Sequence, residues 1–465
     1  MIKISEKCID PLSIKIDIGG TIKDLSVLFI WSDSKTDIFI HSDLITVTSG
    51  IRYESSINKK LSFFKNNINF KVICTKTYVV LYEYEFKHLN FLLGKNILYV
   101  SQNDHTGYGY SGRNYIHQLL NFGYNVQWNT QYLTNDHYKS INIHEDRVFT
   151  CLDQKLDCDT IIIHSTPDCW ESIINKLPRN KKIYGLTTWE TTRLHKDWVS
   201  YINNSVDEVI VPSEFNKHTF ELSRINKKIH VWSHDIFPID ISKIDKVGIY
   251  NVLQHLILYT DKHYVVDPRL ISDILKTKTV YYNISQYNER KNLNQVVNTF
   301  CTKFSKVDNV CLLIKTFFKK FTDSETACLQ YKFHELLKQY ENPPDIIFCF
   351  ANLTDDQIQS IHYTSDVYFT LNRGEGFGLC TYTAKKFGNN IICGKFGAES
   401  EFLNNRDVLI DYKLSSIFNM DVYHNWYNDV NQQWAVYDDD VVISKLKYYP
   451  KVNKSSVEYL NGYQP

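Results

Sequence analysis

Asn372-Arg-Gly-Glu-Gly-Phe-Gly-Leu379 is the stretch on which the reading of the fold turns. It follows a strand-like run, Val367-Tyr-Phe-Thr370, and precedes a helical pattern over 381–387 that ends at Gly388. Gly374, Gly376 and Gly378 let the backbone pass close to a partner, and the N–H groups opening the next helix can receive an anion. A tight turn with no ligand would use the same glycines, so the loop decides nothing alone. Glu375 is out of place in a phosphate cradle, because a carboxylate repels phosphate; a sugar hydroxyl is the better partner.

The same strand-corner-helix pattern recurs upstream. Ser285-Gln-Tyr-Asn-Glu-Arg-Lys-Asn292 follows Val280-Tyr-Tyr-Asn-Ile-Ser285 and opens a helix through Leu293, Val296, Val297 and Phe300. Arg290 and Lys291 place two cations at that corner, where they can neutralise a diphosphate; in isolation such a pair is usually solvated surface charge. Ile97-Leu-Tyr-Val-Ser101 leads through the loop Asp104-His-Thr-Gly-Tyr-Gly-Tyr-Ser-Gly112 into a helix capped by Gly123. Further strands read at Thr160-Ile-Ile-Ile-His164, Lys182-Ile-Tyr-Gly-Leu186, Glu208-Val-Ile-Val-Pro212, Val310-Cys-Leu-Leu-Ile-Lys315, Ile346-Ile-Phe-Cys-Phe350 and Asn390-Ile-Ile-Cys393. Strands separated by helices predict doubly wound, mainly parallel sheets that bind ligands beyond their carboxyl ends. His164 stands at such an end.

Four regions follow. Residues 1–93 carry alternating β-branched segments over 12–18, 25–31, 36–41 and 77–84, punctuated at Gly19-Gly20 and Ser49-Gly50, and read as an all-β accessory domain. Residues 94–240 form one α/β domain and 241–413 a second, joined by a connector around 234–240. The span 243–278 fits neither half and reads as an insertion. Residues 414–465 form a tail, closed by a helix over 438–448, that packs back toward the first α/β domain.

Composition agrees with a large folded protein. At roughly 150 residues per domain, 465 residues make about three. Lys+Arg 52 against Asp+Glu 52 lacks the basic excess of a nucleic-acid binder, and Gly 17 with Pro 10 is too little for a low-complexity chain. The 11 cysteines include no C-x-x-C pair and no apolar run reaches the ~20 residues of a membrane span. A cytoplasmic protein with reduced thiols is expected, with peripheral membrane contact left open and no oligomeric state specified.

Taken together in order, these motifs resemble the retaining GT-B glycosyltransferases of family four over residues 97–411. The span 372–403 resembles the donor-binding signature, including Gly388, Asn390-Ile-Ile-Cys393 and Gly397-Ala-Glu-Ser-Glu-Phe-Leu403. Ser285 to Asn292 resembles the diphosphate corner, and Gly185-Leu-Thr-Thr-Trp-Glu-Thr-Thr-Arg193, Trp198 and Asp207-Glu-Val-Ile-Val-Pro-Ser-Glu-Phe-Asn216 resemble the amino-terminal half. The resemblance implies a GT-B fold of two facing Rossmann-like domains. It also implies transfer, with retention, from a UDP- or GDP-sugar to a glycan, glycoprotein or lipid-linked acceptor, with no cofactor and no essential metal.

Carried over residue by residue, the resemblance makes His164, Glu375 and Lys291 catalytic. Arg290, Lys291, Gly374, Glu375, Gly376, Phe377, Gly378, Leu379 and Thr383 would hold the donor, and the Gly107, Tyr108, Gly109 loop with Glu190 would approach acceptor and phosphate. Arg193 is a further cleft neighbour, equally well explained as a structural partner of Glu190. Two positions depart from the pattern: Thr383 stands where a second glutamate is expected to grip the ribose, and Gln286 where an arginine is expected on phosphate. These departures keep two other readings open, an epimerase or phosphorylase on the same architecture and a catalytically weak binding protein. Asp157-Cys-Asp159 has D-x-D spacing but precedes its strand, so no metal site is assigned.

Overall fold

The computed structural model describes residues 89, 92, 94–104, 106–130, 143–236, 250–420 and 425–452, and the backbone of the strands between residues 2 and 86. In that amino-terminal stretch Ile2–Ile9, Leu12–Ile18 and Arg52–Ile57 pair antiparallel, as do Phe39–Val47, Leu25–Asp33, Ile68–Cys74 and Val80–Phe86. The expected turns at Gly19-Gly20 and Ser49-Gly50 lie outside the described residues, as do residues 237–249 of the connector region and those after 452 of the tail.

From Asn96 the chain builds two α/β layers. The first is a six-stranded parallel sheet in the order Lys228–Val231, Glu208–Val211, Lys182–Leu186, Thr160–His164, Asn96–Ser101, Asn125–Asn129. Its central strand is apolar without alternation because both faces are covered: Ile161, Ile162 and Ile163 are all fully buried, a gain of about 1.5–3 kcal/mol per side chain. Strand order reverses between Asn96–Ser101 and Thr160–His164, which opens a crevice above Ser101 and His164.

The second layer has eight strands. Thr279–Ile284, Val310–Lys315 and Asp345–Cys349 run parallel to one side, and Val367–Thr370, Asn390–Gly394 and Val408–Ile410 to the other. Val310, Leu312 and Ile314 feed one core while Cys311 and Leu313 feed the opposite one, as a doubly wound sheet requires. The reversal falls between Thr279–Ile284 and Val367–Thr370, so both corners quoted first, Ser285 to Asn292 and Leu371 to Leu379, flank it.

The span read as an insertion belongs to this sheet. Leu256–Thr260 pairs antiparallel with Asp345–Cys349, His263–Val265 folds back on it, and the helix Pro268–Thr277, capped by Asp267, packs Ile271, Ile274 and Leu275 on one face of the sheet. The hairpin turns through Asp261 and Lys262, both at positive φ (49° and 64°), so no glycine announces it in the sequence. The tail divides: Ile417, Met420, Trp426 and Tyr427 pack on the core of the first sheet, whereas Tyr437, Val442 and Leu446 enter that of the second. The closing helix is shorter than expected, Asp439–Lys445, and is capped by Asp438. No helix among the described residues is long and apolar enough to cross a membrane.

Candidate active site

The two crevices face one another across direct bonds. Ser213 Oγ and Asn216 Nδ2 of the first half both donate to the Gly376 carbonyl, at 2.8 and 2.9 Å. The Glu401 carboxylate of the second half accepts from the Glu214 and Phe215 N–H groups (3.1 and 2.6 Å), capping the Glu214–Leu222 helix from across the cleft. This explains the glycines differently from the sequence. A Cβ at Gly374 would run into the Glu190 carbonyl, and one at Gly376 into the Thr188 hydroxyl. Both therefore admit the opposite half of the protein. Only Gly378 is required by conformation, at φ +86°, where it starts the Leu379–Lys386 helix two residues earlier than the apolar pattern predicts.

Glu375 lies 9% exposed between the two corner cations. Arg290 Nη1 donates to Glu375 Oε1 at 3.0 Å and to the Gly374 carbonyl at 2.8 Å, and Lys291 Nζ pairs with the same carboxylate oxygen. Burial raises the Glu375 pKa, but Lys291 and then Arg290 outweigh it and hold the carboxyl below its usual range. Arg290 also faces Glu190 of the first half at 3.6 Å. Burial opposes its charge, and Glu190 followed by Glu375 raise its pKa above the ordinary value. Glu190 is held from its other side by the Tyr427 hydroxyl (2.6 Å), so its partners are Arg290 and Tyr427 rather than Arg193. The corner itself is braced by Arg373, which donates to Glu289 Oε1 (2.8 Å) and to Asn292 Oδ1 (3.1 Å).

Opposite stands His164, 3% exposed, with Nδ1 2.8 Å from the Tyr99 hydroxyl and Nε2 3.5 Å from Ser111 Oγ. Burial, reinforced by His234, keeps its pKa well below the usual histidine value, so the ring is a neutral hydrogen-bonding group. Gly107 to Gly109, expected as a loop, instead form the first turn of the Gly107–Asn121 helix, because the Thr106 side chain caps Gly109 N and makes a helix start of that run. That places the helix N-terminus beside His164, with the Tyr108 ring 5.2 Å from it and the Tyr108 hydroxyl 2.9 Å from Thr187 Oγ1.

The two departures from the family pattern have local roles. Thr383 is 8% exposed and its hydroxyl donates to the Leu379 carbonyl (2.8 Å), one turn back in its own helix. Gln286 Nε2 donates to the Phe318 carbonyl at 2.6 Å. Phe377 and Leu379 pack in an apolar cluster with Tyr382 and Phe402. Asp159 accepts from Lys95 N and Asn96 N while Asp157 pairs with Lys181, which accounts for the D-x-D spacing structurally.

Two side chains enter that sequence reasoning did not select. His234, with burial lowering its pKa to about 3, stands edge-to-face on Phe377 at 4.8 Å, and its Nδ1 has no hydrogen-bond partner. Glu399 is 1% exposed, takes a hydrogen bond from Thr381 Oγ1 on Oε1 and has the Asn372 side chain as its other polar neighbour. Burial first, then the Glu375 charge, push its pKa up to about 7. Two carboxylates alternate between Ala398 and Phe402, and nothing in that run told the buried Glu399 from Glu401, which faces the other half.

Glu399 sets a pH dependence. Its folded pKa lies above that of the unfolded chain, so the folded state binds the extra proton and this residue's contribution to stability falls as pH rises from about 4.5 to about 7. Glu399→Gln, which imitates the protonated acid, is expected to raise stability at pH 8 by on the order of 2 kcal/mol and to change little at pH 5. Melting curves at both pH values decide this; equal shifts would mean that Glu399 does not titrate in that window.

No protein-family model and no curated protein matches the chain in sequence. Among solved structures it is similar to Anabaena Alr3699/HepE in complex with UDP and glucose (13% identity, TM-score 0.44, 68% of this chain and 86% of that one). It is also similar to a structure described as trehalose-6-phosphate from E. coli bound with UDP-2-fluoro glucose (11%, TM-score 0.45, 68% and 88%) and to sucrose-phosphate synthase from Thermosynechococcus elongatus (11%, TM-score 0.46, 68% and 86%). Identities and scores this low transfer no activity; the α/β fold rests on the two sheets themselves.

Proposed function

We propose that the chain is a GT-B glycosyltransferase that moves a sugar, with retention and without an essential metal, from a UDP- or GDP-sugar to an acceptor hydroxyl on a glycan, glycoprotein or lipid-linked chain. The supporting observation is the meeting of the two topological switch points, with Arg290, Lys291 and Glu375 on one wall and His164 on the other. In this reading residues 241–413 bind the donor and 94–240 admit the acceptor, with 1–93 as an all-β accessory domain and 414–465 as a bridging tail.

The chemistry follows from charge. As the glycosidic bond breaks, negative charge gathers on the departing diphosphate, and in this reading Lys291, Arg290 and the N–H groups opening the Leu379–Lys386 helix stabilise it. Glu375, released from those cations as phosphate takes its place, can accept from a donor-sugar hydroxyl. His164, kept neutral, offers a hydrogen bond near the transferred sugar without adding a competing positive charge.

A nucleotide-sugar panel read by mass spectrometry tests the reaction, and Lys291→Ala tests the site. The variant is expected to bind UDP or GDP about 10-fold more weakly while uridine and guanosine binding hold steady, the size of one charge-assisted hydrogen bond. Equal losses for nucleotide and nucleoside would remove Lys291 from the diphosphate site. The engagement of both cations by Glu375 and Glu190 favours a second reading, a binding protein with little turnover; donor binding without any transfer or hydrolysis would establish it.

A further inference from the structure

Lys315 ends the strand Val310–Lys315 after a wholly apolar run, and it is 5% exposed. Among the described residues its ammonium has no carboxylate within ion-pair distance and no side-chain hydrogen bond. Its neighbours are ring faces, Phe317 and Phe321, with centroids 4.9 and 4.8 Å from Nζ. Ring faces offset part of the cost of desolvating a cation but supply no acceptor oxygen for its three N–H groups. Burial accordingly lowers the lysine pKa. A lysine kept here for packing alone would be a poor choice, since methionine fills the same volume without that cost.

Its position gives the charge a use. Lys315 is at the carboxyl end of a parallel strand, paired with Ile284 on the neighbouring strand, and its carbonyl accepts from Ser285 N (3.1 Å), the first residue of the Arg290-Lys291 corner. By strand alternation its side chain lies on the sheet face of Cys311 and Leu313, which the Leu379–Lys386 helix covers through Ala384 and Cys380. Cys380, in the first turn of that helix, lies within electrostatic reach of Lys291, Glu375, Glu399 and Lys315 together. Arg290 and Lys291 are already neutralised by carboxylates, whereas Lys315 is not.

We infer that Lys315 is a further phosphate-binding residue of this cleft, supplying a carboxylate-free positive charge to a phosphate group of the donor nucleotide at the start of the Leu379–Lys386 helix. The inference rests on the proposed function for the identity of the ligand, though not for its anionic character.

Calorimetric titration of the full chain with UDP, GDP, inorganic pyrophosphate, uridine and guanosine tests it. Lys315→Met is expected to weaken pyrophosphate, and whichever nucleoside diphosphate the wild type binds, by about 10-fold, to leave the nucleosides within about 2-fold, and to raise the melting temperature by removing a largely desolvated cation that faces aromatic rings and no carboxylate. Lys315→Arg should retain part of the affinity. Unchanged affinity of a folded Lys315→Met for both pyrophosphate and nucleotide overturns the inference, as does an equal loss for nucleosides. Should the methionine variant not fold, the same titrations on Lys315→Gln decide. A wild type that binds pyrophosphate through Lys315 but neither nucleotide would refute the proposed donor and leave the anion site standing. A wild type that binds none of these anions refutes both.

Discussion

Gly374→Ala is expected to force the two halves of the protein apart. The added Cβ would collide with the Glu190 carbonyl, which is main chain and cannot rotate away, and the Gly374 carbonyl is meanwhile held by Arg290. Either the loop or the Thr188 to Glu190 segment must move, and the bonds from Ser213 and Asn216 to Gly376 lie two residues along the same loop. A cost of about 3 kcal/mol follows from overpacking of this kind, enough to favour an open arrangement. Small-angle scattering should then report a larger radius of gyration, and urea unfolding a lower midpoint. Gly107→Ala is the control: its Cβ meets nothing within 4 Å in the first turn of a helix, so stability should hold or rise slightly. Wild-type compactness in Gly374→Ala would show that this loop does not hold the cleft shut.

Glu375→Gln should separate binding from turnover. In the folded protein this carboxylate pairs with Lys291 and Arg290, and in the proposed reaction it would compete with the donor phosphate for them. Its neutral amide removes that competition, and UDP or GDP is expected to bind about 10-fold more tightly, the scale of one charge-assisted contact. If the proposed transfer holds, it should nonetheless fall by about 100-fold, because the amide would replace a charged acceptor for the sugar hydroxyl where positive charge develops in the transition state. Calorimetry and single-turnover assays on one preparation give both quantities. Tighter nucleotide with full turnover would leave Glu375 as a gate on the cations with no part in the chemistry, and weaker nucleotide would mean that the pairing organises the phosphate site.

The sheet strands were legible because burial on both faces demands continuous apolar runs. Thr160-Ile-Ile-Ile-His164 and Val310-Cys-Leu-Leu-Ile-Lys315 coincide with the observed elements residue for residue. The strand-to-helix corners were legible for a related reason: glycine and charged residues directly after such runs mark the carboxyl edge of a parallel sheet. The hairpin of Leu256–Thr260 with His263–Val265 was not, since Asp261 and Lys262 adopt left-handed backbone without glycine. Nor was the helical start at Gly107, where three glycines in six residues read as loop and the Thr106 cap tips the balance locally.

From the sequence alone, the residue types at each corner and their order along the chain were determined, and with them an α/β fold of parallel sheets; the family resemblance made Arg290, Lys291, Glu375 and His164 the candidates. Tertiary structure decided how those groups are occupied. Glu375 and Glu190, far from Arg290 in sequence, neutralise the corner cations; Gly374 and Gly376 serve the approach of the opposite half; Glu399 becomes a buried acid of raised pKa and Lys315 a cation set against aromatic rings. The physical reason is range. Backbone preference and apolar periodicity act over a few residues and are written locally, whereas the charge state and availability of a buried side chain depend on which distant groups the completed fold brings within a few ångströms of it.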